Sequence, residues 1–266
     1  MPDIVQIAAS AFTTGATFNQ YVLPTSHIAP DAERITGIRV SDSQMTVHGK
    51  PVDSKALDYS LDHFCNWLRK FPNPVLVAHN GRRFDFPILI DRFQSVGQLK
   101  DFFECCVGMM DSLSIFRKVW PNGSHKQEYL VSNLLGITYE AHNAIADVTS
   151  LKDLVLHTQL SPRELLGHSY PPLDIYNSIL FNREKNKNLP SLTCLVSSSV
   201  CKITTAENIA GSGLNIHHLN TIYRRSGEDG LRDIFTNKNS DGAPRVTNVK
   251  KVLDEVIPKM AAYFTK

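Results

Sequence analysis

Val75-Leu76-Val77-Ala78-His79-Asn80-Gly81-Arg82-Arg83-Phe84-Asp85 is the stretch on which the fold turns. Four apolar residues, bounded by Pro74 before and a glycine turn after, predict a short strand buried on both faces. Past Gly81 the pattern changes, and a helix is predicted from about Phe84 to Val96. Pro87 falls in its first turn, where a missing N–H costs little. Ligands in open α/β sheets sit at the carboxyl ends of strands, which is where Asp85 and Asn80 lie. A carboxylate there can offer oxygen to a hard cation. Taken alone, an Asp at this place does no more than complement the positive end of a helix dipole.

Upstream, Asp3–Phe12 and Thr17–Leu23 read as a hairpin turning at Thr13-Thr14-Gly15. Pro24–Gly37 reads as a loop with one helical turn, and Met45–Val52 as a small hairpin. Ser54 is placed to cap a helix reaching Phe71, with Leu57, Leu61, Phe64 and Leu68 on one face. Downstream, Cys105–Met110 predicts a second buried strand. Helices follow at Ser112–Val119, Gln127–Leu135 and His142–His157. Repeated β-α units after a hairpin imply an α/β fold with a mixed sheet flanked by helices. Beyond Ser161-Pro162 the texture is different. Pro171-Pro172 and the Asn/Lys-rich run Asn182–Asn188 read as loops between helical stretches. The last helix carries an apolar stripe from Val249 through Val252, Leu253, Val256, Ile257 and Met260 to Phe264. The expected division is 1–160 and a mainly helical extension, 161–266.

The second stretch that could carry chemistry is Glu140-Ala-His142-Asn143-Ala-Ile-Ala-Asp147. On one continuous helix, His142 and Asp147 would stand about 140° apart and could not share a site. They converge only if His142 lies on the loop and Asn143 caps the helix that holds Asp147. That arrangement sets a carboxylate on a rigid element beside an imidazole suited to deprotonating water. In isolation it reads equally as a surface histidine before an ordinary helix.

Together, A-H-N-x-x-x-F-D after a strand and A-H-N-A-I-A-D-V some sixty residues later resemble the DEDDh 3′–5′ exonucleases, TREX-type enzymes among them. Met110-Asp-Ser-Leu113 and the Leu130–Leu135 helix fit the same pattern, which covers roughly residues 3–157. Ile203–Arg225, Gly230-Leu-Arg-Asp-Ile234 and Ala262-Tyr-Phe264 resemble the tail of the longest promyelocytic leukaemia protein isoform and its free-standing fish relatives. The resemblance implies an RNase H-like fold and two Mg²⁺ or Mn²⁺ ions clamping a scissile phosphate. It implies Asp85 and Asp147 as metal ligands, His142 as general base, and His79 and Asn80 at the terminal nucleotide. The implied substrates are nucleic-acid 3′ ends, DNA rather than RNA, with a dimer as an open option. Arg82 and Arg83 could touch phosphates or simply be solvated, and Lys126, Arg117 and Lys118 are equally undecided.

One part of the pattern is absent. The family's first motif, Asp-x-Glu on a central first strand, has no counterpart ahead of Asp3. Its loss removes two of four metal carboxylates. It also leaves the 3–23 hairpin and the strands after residue 74 without a common neighbour. The expectation is that Met1 is internal to a longer reading frame and that the chain as written has little activity. The alternative is a non-catalytic relative that binds nucleic acid or acts as a scaffold.

Composition agrees without deciding. The 266 residues are 42% hydrophobic, enough for a full core, and the formal net charge of +2 is far from that of a DNA-coating protein. No apolar run is long enough to span a membrane, and no signal peptide fits residues 1–12. Five cysteines without a CxxC pair argue against a disulfide scaffold or a zinc site. They favour a reducing, intracellular setting, nucleus or cytoplasm.

Overall fold

The computed structural model describes residues 2–139, 143–239 and 242–265. The chain divides into two compact units, Met1–Tyr176 and Asn177–Lys266.

In the first unit, β1 (Gln6–Ser10) and β2 (Thr17–Val22) form the expected antiparallel hairpin. The next segment holds α1 (Pro30–Thr36), then β3 (Ile38–Ser41), β4 (Gln44–Val47) and β5 (Lys50–Pro51), which make a small antiparallel sheet. β6 (Ser54–Lys55) adds parallel to β2, so Ser54 is a strand residue and not a cap. α2 (Leu57–Leu68) starts instead from Ala56, which makes no side-chain cap bond. It buries Leu61, Phe64, Cys65 and Leu68, as its spacing requires.

β7 (Val75–Ala78) leads through a turn into α3 (Asp85–Ser95). The unpredicted α4 (Leu99–Cys105) follows, so the next strand, β8 (Gly108–Asp111), begins three residues later than its sequence suggested. Stacking of Phe102 on Phe93, with ring centroids 4.4 Å apart, draws Cys105 into the helix. α5 (Ser112–Val119), α6 (Gln127–Leu130) with a π-helical turn (Val131–Leu135), α7 (Ala144–His157) and α8 (Pro162–Leu166) complete the order. Met110, Ile115, Phe116, Leu130, Val131, Leu151, Leu154 and Val155 bury together where β8, α5, α6 and α7 meet.

The α/β class stands, but one continuous sheet does not form. β1-β2-β6 and β7-β8 are separate, and among the described residues no strand pairs with the second edge of β1 or of β7. The two strands of the parallel pair differ accordingly. β8 is bonded on its far side as well, because Met109 and Tyr170 exchange N–H···O bonds of 2.8 and 2.9 Å. All four of its residues are buried. Among the described residues β7 has only β8 paired beside it. None of Val75–Ala78 is fully buried, against the expectation of a strand covered on both faces. α7 packs along β1, so that hairpin is covered by a helix rather than by a neighbouring strand.

The start of the chain is fastened by charge. Asp3 Oδ2 accepts from the backbone and hydroxyl of both Thr25 and Ser26, at 2.8 to 3.1 Å. Asp3 Oδ1 meets Arg92 Nη1 on α3 at 3.1 Å, while Arg92 Nη2 meets Asp91 at 2.5 Å. Asp3, the acid nearest in sequence to the absent motif, is thus committed to holding the hairpin to α3.

The second unit is helical, with α9 (Pro172–Ser197) running into it from the first, then α10 (Ile203–Gly211), α11 (Ile216–Thr236) and α12 (Lys250–Thr265). Pro171 is irregular as expected, but Pro172 and Asn182–Asn188 do not form loops. Pro172 opens α9, where proline is tolerated, and the Asn/Lys run continues as helix because Ile175, Ile179, Asn188, Leu192 and Leu195 bury at helical spacing. The α12 stripe buries Leu253, Val256, Ile257 and Met260 as expected, while Val249 stays exposed ahead of the helix. All five cysteines are free thiols. Among the described residues, no helix is long and apolar enough to cross a membrane.

Candidate active site

The turn between β7 and α3 is built by local chemistry. Asn80 adopts φ +57°, a left-handed conformation that asparagine tolerates, and its carbonyl accepts from the N–H groups of Arg83 and Phe84. Gly81 is required by space: a Cβ there would stand 2.6 Å from Ala78 Cβ and 2.8 Å from the Phe86 ring. The turn therefore delivers Asp85 to the first position of α3.

His79 anchors the turn from below. Its Nε2 lies 2.8 Å from the His125 carbonyl and its Nδ1 2.9 Å from Ser112 Oγ, and its ring stacks on Phe116. A carbonyl only accepts, so Nε2 carries a proton. Burial lowers the pKa and keeps the ring neutral, so Nδ1 accepts from the Ser112 hydroxyl. Both ring nitrogens are engaged within the chain. Arg82 lays its guanidinium over the Tyr170 ring, 4.6 Å from the centroid, and Arg83 is exposed.

Asp111 is the residue that sequence reasoning passed over. Its Oδ1 caps α5 by accepting from Leu113 N at 3.0 Å, and its Oδ2 accepts from Arg82 N at 3.1 Å. One buried carboxylate thus ties the end of β8 to the turn that carries Asp85. The only available signal was its place in Met110-Asp-Ser-Leu113, an Asp between an apolar run and a helix.

Asn143 caps α7, its side chain accepting from Ile145 N, which places Asp147 in the first turn. His142 lies outside the described residues. Gln127 Nε2 holds this turn through Asp147 O at 2.7 Å and Ser150 Oγ at 2.9 Å. Burial raises the Tyr139 phenol to about 12. A hydrogen bond with Ser150 opposes that rise, while the charge and hydrogen bond of the Asp147 carboxylate reinforce it.

Asp111 and Asp147 each come within electrostatic reach of Asp85. Protein crowded round the Asp85 carboxyl raises its pKa, its own backbone N–H opposes the rise, and the charges of Asp111 and then Asp147 add to it. Asp85 as a residue is exposed, so water blunts the first effect. The proximity of two further acids is the chemically telling part. A raised carboxyl pKa means that folding disfavours the charged form, so stability is lost as pH rises through the folded-state value. Asp85→Asn is therefore expected to raise the unfolding temperature at neutral pH, with the gain fading below about pH 4. Thermal melts at both pH values check this. A less stable variant at neutral pH would mean that Asp85 makes a contact its charge does not explain.

As cation donors these residues fit in part. Asp85 and Asp147 carry carboxylates of the hard oxygen type that such a cation would need, whereas both Asp111 oxygens are taken by backbone N–H groups. Among the described residues, no three His, Cys, Asp or Glu stand close enough to hold a metal ion. The one Asp-x-Glu spacing in the chain, Asp31-Ala32-Glu33, lies on α1. Alternate residues of a helix diverge by about 160°. Asp31 pairs with Arg34 and Glu33 with Arg39, so this pair does not supply the absent carboxylates.

Parts of the chain are similar to known proteins. Over 160 residues the chain is 31% identical to three-prime repair exonuclease 1 of Bos taurus, covering 54% of this chain and 46% of that protein. It is 30% identical to the Homo sapiens protein of the same name over 156 residues, with the same coverage. It is 23% identical to protein PML of Mus musculus over 197 residues, 73% of this chain and 21% of that one. The chain is related to TREX-like exonucleases and to PML. The family described as PML, C-terminal domain matches residues 188–266, which lie within the second unit. The chain spans less than half the length of the relatives it matches.

Proposed function

We propose that the first unit is an RNase H-like DEDDh domain of 3′–5′ exonuclease type, directed at DNA 3′ ends and incomplete in its metal site. The observation that supports this best is the approach of Asp85 and Asp147, which sequence places 62 residues apart, at the ends of two differently built turns. Asp85 and Asp147 would hold a divalent cation, Mg²⁺ or Mn²⁺, which supplies Lewis acidity at a phosphodiester when bound. His142, one residue before the Asn143 cap, would take the proton of the attacking water. Asn80 would face the terminal nucleotide, with His79 shaping the turn beneath it. With two carboxylates in place of four, cation affinity and rate both fall.

The chain as it stands is expected to trim a 3′-labelled DNA strand barely or not at all in Mg²⁺, and Asp147→Ala to change nothing measurable. A robust trimming rate that Asp147→Ala abolishes would sink the claim of an incomplete site. Metal binding has its own readout. Millimolar Mg²⁺ should raise the unfolding temperature of the native chain and leave that of Asp85→Asn unmoved. Identical responses in the two would remove Asp85 from the ligand set.

A second reading, a non-catalytic protein on the same fold, is favoured by the edge of β7 that no strand among the described residues pairs with. An extended segment from a partner could pair there.

A further inference from the structure

The formal net charge of +2 conceals a division. Residues 177–266 carry 13 Lys and Arg against 8 Asp and Glu, whereas residues 1–176 carry 15 against 18. The helical unit is therefore the basic one, and excess positive charge is the footprint of a polyanionic partner.

On that unit lies a groove of about 560 Å³ between α9, the end of α10 and the segment that follows α11. Phe181 lines it and is 37% exposed, and Leu180 beside it is exposed to the same extent. The ring is seated where the chain has no side chain: a Cβ on the buried Gly211 would come within 2.2 Å of it. Gly211 thus lets an aromatic ring lie against the end of α10 and present its remaining surface to the groove. The neighbouring wall is polar. Asn177, Asn237 and Lys238 line it and are exposed. Arg245 is held in place by donating from Nε and Nη2 to the Ser212 carbonyl, at 3.3 and 3.1 Å. One acid, Glu184, also lines the groove, and it accepts a hydrogen bond from Asn188.

We propose that this groove binds an unpaired nucleotide of single-stranded nucleic acid, the base stacking on Phe181 and Lys238 meeting the phosphate. A supported aromatic ring accepts any base, because every base has a π-face. Amide side chains offer a donor and an acceptor together, as a base edge requires. A purely apolar peptide would leave the Asn and Lys groups unpaired. The site is separate from the proposed metal site and does not depend on nuclease activity, so binding is measured without divalent metal.

The test is fluorescence anisotropy of the full chain with a labelled oligothymidylate in EDTA, which also stops any metal-dependent cleavage. Saturable binding that weakens with salt is expected. Phe181→Ala should weaken it about tenfold, at the lower end of the loss from one stacked base. Lys238→Gln should weaken it severalfold and flatten the salt dependence by about one counterion. Phe181→Trp should bind as the native chain does, and its added fluorescence should be quenched by the oligonucleotide. This second variant keeps the test decisive if Phe181→Ala unfolds. Native affinity in both Phe181→Ala and Lys238→Gln would overturn the proposal. So would the absence of quenching in Phe181→Trp, or of any binding at low salt.

Discussion

Arg92→Met is expected to destabilise the first unit by about 3 kcal/mol or more, the range for removing one partner from a largely buried ion pair. The side chains of Arg92, Asp3 and Asp91 are 17%, 13% and 8% exposed, so solvent offers little compensation. Methionine keeps the volume but takes the guanidinium from between two carboxylates. The arrangement is already imperfect, since Arg92 Nε is buried without an acceptor among the described residues. The loss should depend on pH. At Asp3, burial tends to raise the pKa, but hydrogen bonds from Ser26 and Thr25 outweigh it and lower the value. Its contribution is therefore present above the ordinary carboxylate range and is lost as pH falls through the lowered value. Once the Asp3 carboxylate takes up a proton its ion pair with Arg92 is lost in the native chain too, so the gap between variant and native chain should narrow only as pH falls below about 4. Urea unfolding at neutral and acid pH measures this. A gap that stays constant would assign the loss to packing instead of charge.

Phe116→Ala is expected to cost about 3–5 kcal/mol, as for a fully buried aromatic truncated in a core. The ring has no exposed surface, stacks on His79 at 5.6 Å and meets Trp120 at 5.1 Å. Its removal opens a cavity beneath the imidazole that anchors the turn after β7. The same variant should therefore also blunt the rise in unfolding temperature proposed for the native chain in Mg²⁺. Thermal melts with and without Mg²⁺ read both effects. A loss under about 1 kcal/mol would mean that the core closes over the gap and that Phe116 does not support the site.

Much of the candidate site was legible in the sequence because its parts are local. The turn at residues 79–84 follows from an asparagine that tolerates a left-handed backbone and a glycine that lets Ala78 and Phe86 approach. The Asn143 cap needs only Ile145 N, two residues on. Asp111 was not legible. Its importance comes from Arg82 N, 29 residues upstream, and nothing in Met110-Asp-Ser-Leu113 announces that partner. Nor could Asn182–Asn188 be read as helix from composition alone, because the residues that bury the helix, Ile175, Ile179, Leu192 and Leu195, lie on either side of it.

The sequence by itself determined the β-α units, the two turns that raise Asp85 and Asp147, and the apolar stripe of α12. Each depends on chemistry within a turn or two of chain. Tertiary structure alone decided that the strands among the described residues fall into three separate sheets, that none of them pairs with the second edge of β7, and that Asp3 serves the fold. Strand pairing and the Asp3–Arg92 bridge, 89 residues apart in sequence, are contacts between distant segments. Their free energy depends on which neighbour is present in space, and no local pattern encodes that.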